Sequence, residues 1–181
     1  MAKFFYFSAA FSLLTILGCL GNAEGERLFE VQYPVHDFVI PAGQQSNSTI
    51  VAPQASLPTR FAEEIARANV TADDIDLIGG FRARVVSLTG DNFNEIRRIE
   101  LRACPLGQRT GCDPAQLIFT VDDLVNRNLR TVNLNPSLVN ARETFLGEQM
   151  RVEVVLFPVN VTTISFDARL EWSVQAVGDL D

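Results

Sequence analysis

The C-terminal part of the chain alternates apolar and polar residues over thirteen consecutive positions, 164–176. A β-strand places successive side chains on opposite faces, whereas a helix would scatter these positions around its circumference. One face therefore packs on a core and the other faces water, as in an antiparallel sheet. The apolar positions of this predicted strand are Ile164, Phe166, Ala168, Leu170, Trp172, Val174 and Ala176.

Shorter segments upstream repeat the alternation and predict seven or eight strands in all. They are RLFEVQYPV with its continuation HDFVIPAG, FRARVVSLTG, EIRRIELRAC, QLIFTV, RTVNL and MRVEVVLFPV. In FRARVVSLTG the pattern places Phe81, Ala83, Val85 and Ser87 on one face, which is expected to be the core face. Pro34 and Pro41 suggest that the first strand lies at a sheet edge, because proline cannot donate to a strand ladder.

Helix is the minority state. LPTRFAEEIARAN predicts a short helix with Thr59 as a candidate cap, and NPSLVNARETFLG predicts either a second helix starting at Asn135–Pro136 or an irregular loop. AGQQSNSTIVAPQASLP is polar and rich in turn residues, and is interpreted as a long connection. The pattern predicts an all-β, antiparallel β-sandwich, Ig-like or jelly-roll in general form, with one or two short helices.

The N-terminus has the pattern of a secretory leader. Lys3 precedes an uncharged run from Phe4 to Ala23 that ends in small residues. A retained membrane span is the alternative, although the run is at the short end of the range that crosses a bilayer. We expect export with cleavage, followed by one domain.

The three cysteines fall into two groups. Cys104 and Cys112 are eight residues apart across the Pro/Gly-containing loop ACPLGQRTGCDP, which in an exported protein indicates a disulfide. A zinc site is the alternative, but two thiols and the single histidine cannot complete its ligand shell. We expect no bound metal and no cofactor.

Cys19 follows Ile16, Leu17 and Gly18. This tetrad resembles the lipobox of bacterial lipoproteins, in which the leader is cut before the cysteine and the cysteine carries acyl chains. The resemblance implies a signal peptide at 1–18, lipidation of Cys19, a short tether at 19–26, and a single domain at 27–181 anchored in the cell envelope. By likeness to Gram-negative lipoproteins, Leu20 after the cysteine implies the outer membrane. Cleavage after Ala23 is the alternative and would leave a free secreted or periplasmic domain.

The charge balance bears on the partners. The chain has 15 Lys+Arg and 22 Asp+Glu, a net charge of −7, and Lys3 is its only lysine. Loss of the leader would change −7 to −8 and leave only arginine as a cation. An acidic body without a basic cluster argues against nucleic acid as a partner. Lysine-based catalysis is excluded in the mature chain.

No catalytic set is recognisable. The single histidine, His36, adjoins Asp37, but neighbours on a strand point to opposite faces, and a solvated or edge-capping histidine is expected. Acidic groups at Asp73, Asp74 and Asp76, and near Asp91 and Asn94, lack the spacing of a calcium loop and are interpreted as turn and cap residues, with calcium as the alternative.

The leading functional hypothesis is an exported, lipid-anchored envelope protein that has a non-enzymatic interaction or structural role. Its membrane partner would be the bilayer that holds the acyl chains, and a further partner would be an envelope protein or polysaccharide. The contact surface would be loops at one end of the sandwich, including the Cys104–Cys112 loop. A hydrolase of envelope polysaccharide that uses paired carboxylates is a second hypothesis. A soluble glycosylated binding domain is a third, since Asn47, Asn69 and Asn160 lie in sequons.

Overall fold

Strands dominate the computed structural model, which describes residues 25–108 and 110–179. The leader, the lipobox and the Ala23 alternative lie outside the described residues. Within the described residues the strands are β1 (Glu26–Gln32), β2 (His36–Ile40), β3 (Ile50–Pro58), β4 (Leu77–Ser87), β5 (Ile96–Pro105), β6 (Leu117–Asp122), β7 (Thr131–Pro136), β8 (Gln149–Pro158) and β9 (Phe166–Gly178). The α-helices are α1 (Phe61–Ala68) and α2 (Arg142–Phe145).

The strands form an antiparallel β-sandwich, as the alternation predicted. Sheet A has β9 and β4 at its centre, with β1 and β2 both paired to the outer side of β9 and β7 paired to β4. Sheet B has the order β6-β5-β8-β3. A short pairing of β6 with β7, Phe119 with Pro136 and Thr120 with Asn135, joins the two sheets along one side.

A close approach between the sheets depends on Gly80. A Cβ atom built there would lie 2.6 Å from Cζ of Phe119 and 2.8 Å from the carbonyl oxygen of Ile118. Both neighbours are buried, so a side chain at this position would have to displace backbone as well as an aromatic ring. Gly80 therefore lets β4 and β6 pack together at the joined side.

The alternation in the C-terminal segment correctly predicted the core. The six apolar positions of β9 from Phe166 to Ala176 are all buried, and β9 pairs with β1, β2 and β4. Ile164 was assigned to the same strand, and this was wrong: it precedes β9 and is exposed. Ile164 therefore belongs to the connection between β8 and β9, and the pairing of β9 with its three neighbours begins at Phe166.

Two strand details differ from the sequence prediction. The register with β9 shifts between Gly80 and Arg82, so Phe81 occupies a bulge and is only half-buried, whereas it was predicted to face the core with Ala83. Pro34 divides the first strand into β1 and β2 and does not merely bend it. Both parts lie on the outer side of β9, which agrees with the predicted edge position.

The polar interval 42–58 is not simply a connection. Its second half forms β3, which pairs with β8 along most of its length. Proline is compatible with this strand because β3 lies at the edge of sheet B, where one side of the strand needs no ladder partner. Ile50, Ala52 and Leu57 face the core.

Both helices are present, but their ends differ from those predicted. Arg60, with φ 63°, precedes α1 without a side-chain cap, and the Thr59 hydroxyl donates instead to the carbonyl of Gly147. Asn135 and Pro136 belong to β7, so α2 is a single turn that begins at Arg142. The preceding loop is held because Asn140 Oδ1 accepts hydrogen bonds from the backbone N–H groups of Ile78 and Arg142.

Candidate functional site

Cys104 and Cys112 form the predicted disulfide. Their Cα atoms are 5.4 Å apart and both residues are buried. Cys104 lies near the end of β5, and Cys112 precedes a single 3-10 turn, Pro114–Gln116, that Asp113 caps by accepting from the N–H of Ala115. The covalent link therefore closes a short loop between two ordered elements, which we call the disulfide loop (residues 104–112).

The base of the disulfide loop lies on the outer face of sheet B. The backbone N–H of Cys112 donates to Oε2 of Glu153 over 3.0 Å, and Nη1 of Arg102 donates to the carbonyl of Cys112 over 3.3 Å. Gly111 has φ +85°, and a Cβ there would lie 2.7 Å from Oε1 of Glu153. Glycine is thus required both by the backbone conformation and by the contact with the carboxylate.

Beneath the loop, charged side chains of β5 and β8 form a buried ion network. Glu100 is 2% exposed and contacts Arg98 and Arg102, while Glu153 is 4% exposed and accepts from Nε of Arg151 over 2.6 Å. Both oxygens of each carboxylate are occupied by a donor, which buried charges require. This arrangement fits a structural role.

This network corrects the expectation that one face of β5 and β8 is solvated. The alternation identified the inner face correctly, but the outer face at Glu100, Glu153 and Val155 is buried as well. The disulfide loop covers part of that face. The tip of the loop is different: Pro105, Leu106, Gly107 and Gln108 are exposed.

The disulfide loop lies at the same end of the sandwich as the start of β1. Glu26 pairs with Gly178 at the end of β9. The backbone N–H of Asp76, which precedes β4, donates to the carbonyl of Val177 beside it. An open groove of about 600 Å³ joins this region to sheet B. Its lining includes Asp73, Asp76, Ala103, Gln116, Asn140 and Arg142.

The side chains of His36 and Asp37 have different surroundings. Asp37 is bound on both oxygens by Arg169, at 2.7 and 2.8 Å, whereas the ring of His36 lies 5.8 Å from that of Phe38. Nε2 of His36 is buried without a hydrogen-bond partner in the described part of the chain. Burial lowers the pKa of His36, and the nearby backbone of Ala52 and carboxylate of Asp37 offset this only in part.

The acidic groups considered for calcium make local turn contacts. Oδ2 of Asp74 accepts from both the backbone N–H and the hydroxyl of Thr71, and these bonds lower the pKa of Asp74. Oδ2 of Asp91 accepts from the hydroxyl of Thr89, and Asn94 exchanges hydrogen bonds with Asn128. Among residues 25–108 and 110–179, no three His, Cys, Asp or Glu side chains are grouped closely enough to hold a metal ion.

The three sequon asparagines are all exposed. Asn47 lies in the turn before β3, Asn69 ends α1, and Asn160 follows β8. Each position would accept a glycan without disturbing the core. In the described ranges, no helix combines the length and the apolar character that crossing a membrane requires.

The outer face of sheet A carries a second groove, of about 520 Å³, that the sequence analysis did not identify. Nη2 of Arg82 donates to both oxygens of Glu30, at 2.9 and 3.0 Å, and Arg84 binds Glu171 through Nε and Nη2 at 2.8 and 2.7 Å. Burial tends to raise the pKa of Glu30, but hydrogen bonds from Ser173 and Arg82 and the charges of Arg82 and Arg27 outweigh it, so the pKa is lowered. The groove is lined by Glu30, Gln32, Phe81, Arg82, Ala83, Arg84, Asn133, Leu134, Glu171, Trp172 and Ser173.

Comparisons with known proteins place the chain in no family. No protein-family model and no curated protein matches it. Among solved structures, that of Cocksfoot mottle virus aligns over 100% of this chain and 98% of the other, with 12% sequence identity and a TM-score of 0.26. A likeness this weak carries no argument about fold or function, so the fold rests on the strand pairing described above.

Proposed function

We propose that this protein is exported to the cell envelope, is anchored there by acyl chains on Cys19, and acts as a non-enzymatic interaction domain. The observation that carries the proposal is the buried Cys104–Cys112 disulfide. Structural disulfides persist in oxidising compartments, which agrees with the leader sequence. Because the other two cysteines are paired, Cys19 is the remaining cysteine of the chain, and acylation would leave the mature protein without a free thiol.

A lipid on Cys19 would also orient the domain. The tether from Cys19 to Glu26 spans at most roughly 25 Å when fully extended. The end that bears the start of β1 and the disulfide loop would therefore face the bilayer. The opposite end, formed by the loops 41–49, 88–95, 123–130 and 159–165, would face away from it; we call this the distal end.

The distal end has properties of a binding surface. Its loops are tied together, since Gly43 donates to Thr162 over 2.7 Å, Val159 donates to Glu95 over 2.9 Å, and Asn94 pairs with Asn128. Loops that are already ordered lose less conformational entropy when they bind a partner. Leu88, Val161 and Ile164 are exposed in this region and supply apolar contact area. An envelope protein or polysaccharide would be contacted here, and not at the disulfide loop, which was predicted to belong to the contact surface but would face the bilayer in this orientation.

The anchor is tested by the intact mass of the protein purified from its own membranes, with Cys19→Ala as the comparison. We expect a chain that begins at Cys19 with added acyl mass, and we expect this mass to be absent from the variant. A mature chain that begins at Glu24 without lipid would refute the anchor. Glycan mass on Asn47, Asn69 or Asn160 would instead support a soluble glycosylated domain.

The orientation is tested separately with the lipidated protein in vesicles that contain headgroup-quencher lipids. A fluorescent non-canonical amino acid replaces either Leu106 in the disulfide loop or Val161 at the distal end, both of which are exposed. We expect strong quenching at position 106 and weak quenching at position 161. The reverse order would contradict the orientation even if Cys19 is acylated.

A further inference from the structure

We propose that the groove on the outer face of sheet A binds a neutral oligosaccharide. The proposal goes beyond the anchor and does not depend on it, because no lining residue lies in the leader or the tether (residues 1–26). It rests on the arrangement of hydrogen-bonding side chains across four neighbouring strands.

The register places the polar side chains in two parallel rows. Gln32, Ser173 and Arg82 are aligned across β1, β9 and β4. Glu171, Arg84 and Asn133 are aligned across β9, β4 and β7. Neighbouring strands are about 4.8 Å apart, and positions two residues apart along a strand are separated by about 7 Å. Ser173 is buried and its side chain bonds to Glu30, so an extended ligand could contact the other members of the rows: Gln32, Arg82, Arg84, Asn133 and Glu171.

Charge balance argues for a neutral ligand. Within the lining, Arg82 is paired with Glu30 and Arg84 with Glu171, so these two cations and two anions neutralise one another. At these pairs an anionic ligand would have to displace a glutamate, and a cationic ligand would have to displace an arginine. Arg27, whose guanidinium contacts Phe81, is a further cation beside the lining, and the anionic probe described below tests whether it attracts a charged ligand.

The remaining hydrogen-bonding capacity suits hydroxyl groups. A guanidinium has five N–H donors, and each ion pair uses only part of them; the side chains of Arg82 and Arg84 are 71% and 54% exposed. Asn133 is exposed and offers both a donor and an acceptor. A sugar hydroxyl can accept a hydrogen bond from an arginine N–H and can donate one to a carboxylate or amide oxygen. Both kinds of partner occur within one row.

A planar aromatic ligand fits less well. The half-buried aromatic ring of the groove, Phe81, is contacted by the guanidinium groups of Arg27 and Arg82, whose central carbons lie 4.8 and 4.7 Å from its centroid. Stacking on Phe81 would require these cations to move. The other aromatic residue of the lining, Trp172, is buried and stacks on Tyr33 at 4.1 Å between centroids.

The test is isothermal titration calorimetry on the mature protein in a detergent without a sugar headgroup. The probes are cellohexaose, chitohexaose and maltohexaose, and a sulfated heparin hexasaccharide is the anionic comparison. We expect at least one neutral probe to bind. We expect Arg84→Ala and Asn133→Ala each to weaken its binding roughly tenfold, as loss of one or two hydrogen bonds would.

Arg169→Ala is the matched control, because Arg169, like Arg84, forms an ion pair with a carboxylate through two guanidinium nitrogens on the same sheet but does not line the groove. Unchanged affinity in this variant supports the proposal. Three results would overturn it: no binding of any neutral probe, an equal loss in Arg169→Ala, or tighter binding of the heparin probe. Asn133→Ala removes an exposed side chain, so we expect its melting temperature to equal that of the wild type. A loss of affinity at unchanged melting temperature would show that the substitution affects binding and not folding.

Discussion

The backbone N–H of Cys112 donates to Oε2 of Glu153, and this bond links the disulfide loop to a buried carboxylate on another strand. The other oxygen of the same carboxylate, Oε1, accepts a hydrogen bond from Nε of Arg151. Closing the loop therefore positions a donor that a buried charge needs. The disulfide and the ion network of sheet B stabilise one another.

The first prediction concerns the disulfide. Replacing both Cys104 and Cys112 with serine should lower the free energy of unfolding by about 2–3 kcal/mol, the chain-entropy value for a loop of this length. Loss of the positioned donor to Glu153 adds to this. Urea denaturation followed by circular dichroism measures it. A reductant should destabilise the wild type but leave the double variant unchanged, and equal stability of the two proteins would refute the prediction.

The second prediction compares two glutamates that differ in burial. Glu153→Gln should destabilise the fold by about 3 kcal/mol, because it breaks a buried network and leaves arginine charge uncompensated. Glu171→Gln removes an ion pair of similar geometry on an exposed face and should cost less than about 1 kcal/mol. The same urea titration tests both. Comparable losses would show that the network beneath the loop contributes little.

The third prediction concerns two adjacent glycines. Gly80→Ala should destabilise the sandwich by at least about 1–3 kcal/mol, because its Cβ would overlap Phe119 and the backbone of Ile118. Gly79→Ala is the matched control: its Cβ would meet only the flexible end of Leu77, at 3.3 Å. Thermal unfolding should show a clearly lower melting temperature for Gly80→Ala alone. Similar melting temperatures would indicate that β4 and β6 are not in close contact.

The fourth prediction concerns the pH dependence of stability. Burial lowers the pKa of His36 below its ordinary 6.5, so the unfolded chain takes up this proton first as the pH falls. The free energy of unfolding should therefore decrease from about pH 6.5 down to the folded-state pKa and should not change further below it through this group. His36→Gln should flatten the profile between pH 7 and 5.

Asp37→Asn provides the control for this pH window. Arg169 lowers the pKa of Asp37, so the contribution of this carboxylate is present above its ordinary 3.8 and is lost only at more acidic pH. Asp37→Asn should keep the fall in stability between pH 7 and 5 and extend it to lower pH, because the Asp37 carboxylate raises the pKa of His36 and its loss lowers that pKa further. If His36→Gln and the wild type have the same slope there, His36 is not the titrating group.

The sequence by itself determined most of the strands, with the exception of β3, and most positions of the inner faces of the sheets. In β9 the burial of each apolar residue from Phe166 to Ala176 follows from the period of two, because the side chains of a strand alternate whatever its neighbours are. The cysteine spacing likewise predicted the disulfide, since a short loop keeps the two thiols within reach.

Only the tertiary structure decided which outer faces are covered and which side chains meet across strands. Glu100 and Glu153 were indistinguishable in sequence from the solvated Glu171, yet the disulfide loop and the arginines of β5 and β8 bury them. The bulge at Phe81, the edge strand β3 and the two polar rows of sheet A depend on register. Local periodicity indicates which face each side chain occupies, but the pairing partner of a strand and the place of its bulges depend on segments far apart in the chain.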